Sequence, residues 1–129
     1  MITIDRDLIR GSKLRPNTTP VPNFVLDIVG PTLSGGSFRV LLALCRYTYG
    51  FGKVADGIAT SSLMKQTGLS KQSVITAVQD LERRRVIVVI RKQRVGRRQG
   101  WNIYAINERF PQVALGRYFH EPRTQKRST

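Results

Sequence analysis

A single cysteine, Cys45, excludes an internal disulfide. It stands in an apolar stretch, where a thiol usually packs as a small hydrophobe, and this fits a reducing cytoplasm. His120 is the only histidine and leaves no second imidazole for a zinc site. The 8 acidic residues are scattered, and no two show the spacing of a catalytic carboxylate pair. No phosphate-cradling glycine loop is present. Catalysis, a metal and a cofactor are therefore not expected. The longest apolar runs, residues 40–45 and 86–90, are far shorter than the roughly 20 residues of a membrane-spanning helix. The opening MITIDRDLIR carries acidic groups and no apolar centre, so no signal peptide is expected. The reading is a soluble cytoplasmic protein without membrane contact, nucleoid-associated in a prokaryotic host.

Positive charge is abundant. Lys and Arg number 22, giving a net charge of +14. Residues 1–64 hold 7 basic and 4 acidic groups, net +3, while residues 65–129 hold 15 and 4, net +11. Such an excess concerns partners rather than fold and suits a polyphosphate. Charge alone does not choose between DNA and RNA.

The excess sets in within residues 61–87, SSLMKQTGLSKQSVITAVQDLERRRVI, which read as a helix-turn-helix. A short helix from Ser61 turns Leu63 and Met64 inward. Gly68 permits the left-handed backbone of a helix end, and Leu69 fills the corner. Ser70 caps a second helix, in which Val74, Ala77, Val78 and Leu81 share one face. Lys71, Gln72, Ser73, Thr76 and Gln79 occupy the other. Lys71 at the first helical position opposes the dipole, at a cost of about 0.3–1 kcal/mol. An anion beyond the helix start would offset this.

The chain as a whole reads as α+β, mainly α: a winged helix-turn-helix with a three-helix core and a small antiparallel hairpin. Residues 1–22, with three prolines, read as a flexible arm, 23–107 as the DNA-binding domain and 108–129 as a basic tail. Within the domain, residues 23–29 suggest a helix ended by Gly30-Pro31. Residues 37–49 suggest a core helix stopped by Gly50, with Arg39, Ala43 and Arg46 as its polar stripe. Residues 58–60 suggest a short strand. Residues 86–91 and 101–107 are β-branched and aromatic, and form the hairpin wing. One helical turn is expected near residues 110–115. Along the wing stand Arg91, Lys92, Arg94, Arg97 and Arg98, more cations than an edge strand needs for protection from aggregation.

RYTYGFGK from Arg46, followed by ADGIATSSLMKQTGLSKQSVITAVQDLERRRVI, resembles the N-terminal DNA-binding domain of bacteriophage replication protein O. The matching positions are Arg46, Thr48, Tyr49, Gly50, Lys53 and Asp56, then Thr67 to Ser70, then Leu81 and Glu82. The resemblance implies binding of repeated double-stranded sites at a replication origin, and helicase recruitment through a C-terminal region. That recruiting region is not expected in the short stretch after the wing.

Together these features predict sequence-specific binding of double-stranded DNA. Lys71, Gln72, Ser73 and Thr76 would read bases, with Gln72 suited to adenine and Lys71 to guanine. Arg39, Arg46, Arg83, Arg84, the neighbouring Arg85 and the wing cations would meet phosphates or the minor groove. Arg83 to Arg85 equally suit the negative end of the helix dipole. Two copies would bind a repeat or palindrome, alongside replication or other nucleoprotein partners. An accessory subunit with protein or RNA contacts and a transcriptional repressor are the alternatives.

Overall fold

The computed structural model describes residues 17–91 and 101–109. Its centre is helix α2, Gly35–Tyr47. Ser34 caps it, accepting from the Ser37 N–H at 3.2 Å. Val40, Leu41, Leu44 and Cys45 on this helix are fully buried. Around α2 pack α1 (Val25–Val29), α3 (Thr60–Thr67) and α4 (Lys71–Arg83), together with strands β1 (Ala55–Ile58), β2 (Ile87–Ile90) and β3 (Asn102–Ile106). The sheet order is β1-β3-β2 and both pairings are antiparallel. No helix among the described residues is long and apolar enough to cross a membrane.

The fold is mainly helical with a small antiparallel sheet, a winged-helix-like α+β arrangement. Alternation along the sheet sorts its faces. Ile58, Tyr104, Ile106 and Ile87 are buried against the helices. The other face carries the cross-strand row Ala55, Ala105 and Val88 and the row Gly57, Ile103 and Ile90.

Four local expectations need correction. Gly30-Pro31 does not end α1, because the chain continues through a 3-10 turn at Gly30–Thr32. Pro31 suits that first turn, where a missing N–H costs nothing. Gly30 is required by space: a Cβ there would lie 2.7 Å from the Val25 carbonyl oxygen and 3.0 Å from the Phe38 ring.

Gly50 does not stop α2 either. The helix ends at Thr48, whose buried hydroxyl donates to the Leu44 carbonyl at 2.7 Å. A 3-10 turn, Tyr49–Phe51, follows, and Gly52 takes the left-handed conformation at φ 69°. Ala43 is buried, so only Arg39 and Arg46 of the expected polar stripe reach the surface.

The first strand lies at Ala55–Ile58 rather than at residues 58–60. Ala59 is already the N-cap of α3 and Thr60 its first residue. Lys53 and Asp56 pair at 3.2 Å at the strand's entrance. Of the arm, residues 17–22 are described: Val21 packs on the core and Pro22 accepts from the Val25 N–H at 2.9 Å. The rest of the arm and the helical turn expected near residues 110–115 lie outside the described residues.

Candidate nucleic-acid interface

The helix-turn-helix is built by two caps. Gly68, at φ 76°, closes α3, its N–H donating to the Met64 carbonyl at 2.8 Å. Thr67 donates its hydroxyl to the Leu63 carbonyl at 2.6 Å and accepts from the Leu69 N–H at 3.2 Å. Leu69 is thereby held against the core. Ser70 caps α4, accepting from the Ser73 N–H at 3.2 Å. Val74, Ala77, Val78 and Leu81 are the buried face of α4, as their spacing requires.

Lys71, Gln72, Ser73, Thr76 and Gln79 are all exposed. The structure divides the residues expected to read bases between two hollows. Gln72, Ser73 and Thr76 line a shallow depression beside Ser34 and Gly36 at the start of α2. Lys71 lines a different cleft, shared with the start of α3 and with Trp101. Within the first group, Gln72 Nε2 donates to Thr76 Oγ1 at 3.3 Å and Ser70 donates its hydroxyl to Ser73 Oγ at 3.0 Å. These bonds link neighbouring side chains of the polar face to one another.

Several of the expected phosphate-binding cations already have partners in the domain. Arg39 donates to the Thr67 carbonyl at 3.3 Å, where it meets an orphan acceptor and the negative end of α3. Arg46 lies over the Phe51 ring, 4.5 Å from its centroid. Arg83 and Arg84 both pair with Asp80, at 2.7 and 3.0 Å. Arg91 grips Glu82 with two hydrogen bonds of 2.9 and 2.8 Å. Arg85 makes no ion pair among the described residues, and Lys92, Arg94, Arg97 and Arg98 lie outside them.

Asp80 joins α4 to α2 as well, accepting from the Ser37 hydroxyl at 3.0 Å. Burial raises its pKa, but hydrogen bonds from Arg84 and Ser37 and the two guanidinium charges outweigh this and leave it below the usual carboxylate range. Arg91 lowers Glu82 in the same direction, chiefly through its hydrogen bonds. The Cys45 thiol is pushed up to about 11 by burial, which keeps it protonated and inert. Tyr49 is also raised, by burial first and then by its 2.6 Å hydrogen bond to Glu108.

Two features escaped the sequence reading. Arg85 adopts the left-handed conformation at φ 62°. The Arg85 N–H donates to the Glu82 carbonyl at 2.9 Å and the Val86 N–H to the Leu81 carbonyl at 3.0 Å. This is the Schellman pattern of a helix end, with arginine where glycine is usual. Asn107 Nδ2 clamps the corner by donating to the Arg85 carbonyl at 2.7 Å. The second is Trp101, 60% exposed at the entry to β3. A signal for the first did exist, since no glycine follows the Arg83 to Arg85 run.

Comparison with known families matches residues 17–104 to bacteriophage replication protein O. Comparisons with curated proteins and with solved structures gave no match. The matched segment contains α2, the Lys53–Asp56 pair, the complete helix-turn-helix and β3 into its inward-facing Tyr104. With that match spanning most of the chain, the protein belongs to the bacteriophage replication protein O family, which ties it to replication.

Proposed function

We propose that this domain binds double-stranded DNA in a sequence-specific manner, with the start of α4 in the major groove and the β2–β3 wing on the adjacent backbone. The observation that carries this reading is the exposed start of α4. Lys71, Gln72, Ser73 and Thr76 are all open to solvent, on a helix whose opposite face is locked into the core. Lys71 at the positive end of the helix favours an anionic partner. The domain acts by binding rather than catalysis, and affinity and specificity come from different residues. Arg85 and the wing cations Lys92, Arg94, Arg97 and Arg98 neutralise phosphates and release counterions. The polar face of α4 reads base edges.

One such domain covers a limited length of duplex, so two copies on a repeat or palindrome are part of the proposal. Selection of bound duplexes from a random pool tests it. Enrichment of a defined site supports the reading. Uniform recovery of all sequences contradicts it.

A second reading has its own support. The outer sheet face carries Val88 and Ile90, 46% and 56% exposed, beside Ile103. Two apolar side chains on one open face suit a protein contact. Under this reading the domain is an accessory platform in a nucleoprotein complex. Charged substitutions at Val88 and Ile90 that abolish complex assembly while sparing duplex binding would favour it.

A further inference from the structure

We infer that the cleft between α3, the start of α4 and Trp101 seats one unpaired nucleotide of a DNA strand, its base stacked on the indole. The inference rests on the DNA-binding reading and adds to it a second mode of contact. The cleft has a volume of about 410 Å³ and is lined by Ala59, Thr60, Ser61, Met64, Lys71 and Trp101 among others. That volume falls within the roughly 300–1,000 Å³ range of small-ligand sites.

Three observations converge on a nucleotide. Trp101 leaves most of its surface in solvent, although it directly precedes a strand whose Tyr104 and Ile106 are buried. An open indole face is a stacking platform for a base of any sequence. In an intact duplex both faces of every base are covered by its neighbours, so only a base that has left the stack can use that platform.

The second observation is the start of α3. Its N-cap is Ala59, which has no side-chain oxygen and makes no capping bond. Serine, threonine, aspartate or asparagine would ordinarily stand there. An uncapped helix start with eight helical residues behind it presents N–H groups and a positive dipole end to an anion.

The third is Lys71, which lines the same cleft from the first turn of α4. A phosphate in the cleft would meet the start of α3 and an ammonium group. The base then has the indole and Met64, and the phosphate has the start of α3 and Lys71, which in this second mode of contact serves the phosphate instead of a base edge.

Trp101 is the only tryptophan of the chain, so its emission reports on this cleft alone. The experiment titrates the full chain with a fully paired duplex and with the same duplex carrying a short internal bubble, reading tryptophan emission and affinity. The bubble should quench emission and bind about tenfold tighter than the paired duplex, the scale of one base–aromatic stack. Trp101→Ala should lose that preference and Trp101→Phe keep most of it, both binding the paired duplex like wild type. Ala59→Asp adds a cap and a negative charge; it should raise thermal stability and also erase the preference.

If wild type binds both duplexes equally, or Trp101→Ala retains the preference, the cleft proposal is overturned and duplex recognition by α4 stands. If wild type binds no duplex at all, the underlying reading falls with it.

Discussion

Arg91, just beyond the end of β2, holds Glu82 of α4 through two hydrogen bonds of 2.9 and 2.8 Å. The pair fixes the base of the wing to the helix proposed to read DNA. It also occupies a cation that would otherwise be available to a phosphate. Both side chains are partly exposed, so the pair is worth about 0.2–1 kcal/mol at most.

Glu82→Gln should therefore cost little stability and release the Arg91 charge. Affinity for every duplex should rise, and the slope of log affinity against log salt should steepen by about 0.9 if one phosphate contact is gained. Salt-dependent binding titrations of the two proteins measure this. An unaltered slope would confine Arg91 to its structural pair.

Arg85 carries a backbone cost that its neighbours offset. A left-handed conformation costs a residue with a Cβ about 1–2 kcal/mol, and glycine avoids it but loses more chain entropy on folding. Arg85→Gly should raise stability by up to about 1 kcal/mol, equivalent to several degrees in Tm for a domain of this size. Duplex affinity should fall at the same time, because a cation unpaired among the described residues is removed. A lower Tm in thermal melts would mean that the arginine side chain itself stabilises the corner.

Asp80 and Glu82 set the acid response. Each has a pKa depressed in the fold, Asp80 because its Arg84 and Ser37 hydrogen bonds and nearby guanidinium groups outweigh burial, Glu82 chiefly through Arg91. A depressed carboxyl contributes stability above its unfolded value, near pH 4 by the reference scale. That contribution is lost as pH falls through the folded value. Urea midpoints should hold steady from neutrality to about pH 5 and drop below about pH 4. Asp80→Asn should be less stable at neutral pH, with a shallower acid decline. An equally steep decline in the variant would assign the acid response to other carboxyls.

The helix-turn-helix was legible because each of its signals is local. Gly68 and Ser70 are caps by residue type, and the spacing of Val74, Ala77, Val78 and Leu81 defines a face within a single helix. β1 lies earlier than its residues suggest because Asp56 and Gly57 are poor strand formers. Their pairing partners, Tyr104 and Ile103, lie far along the chain, and it is that ladder which makes them a strand. The end of α2 differs from the sequence expectation for a related reason. Gly50 has the residue type of a stop, but the Thr48 hydroxyl satisfies the Leu44 carbonyl first. Of the interface, the polar start of α4 could be read from sequence. The prior engagement of Arg39 and Arg91 could not, since their partners are set by how the elements pack, whereas the pairing of Arg83 and Arg84 with Asp80, three and four residues earlier on α4, follows from helical spacing alone.

The central claim is that the exposed start of α4 distinguishes one duplex sequence from another. The most direct measurement compares duplexes selected from a random pool by wild type and by a Lys71→Ala, Gln72→Ala double variant. Wild type should recover a defined site, and the variant should lose base preference at neighbouring positions in it while retaining nonspecific binding. Recovery of the same site with undiminished preference by the double variant would contradict the claim.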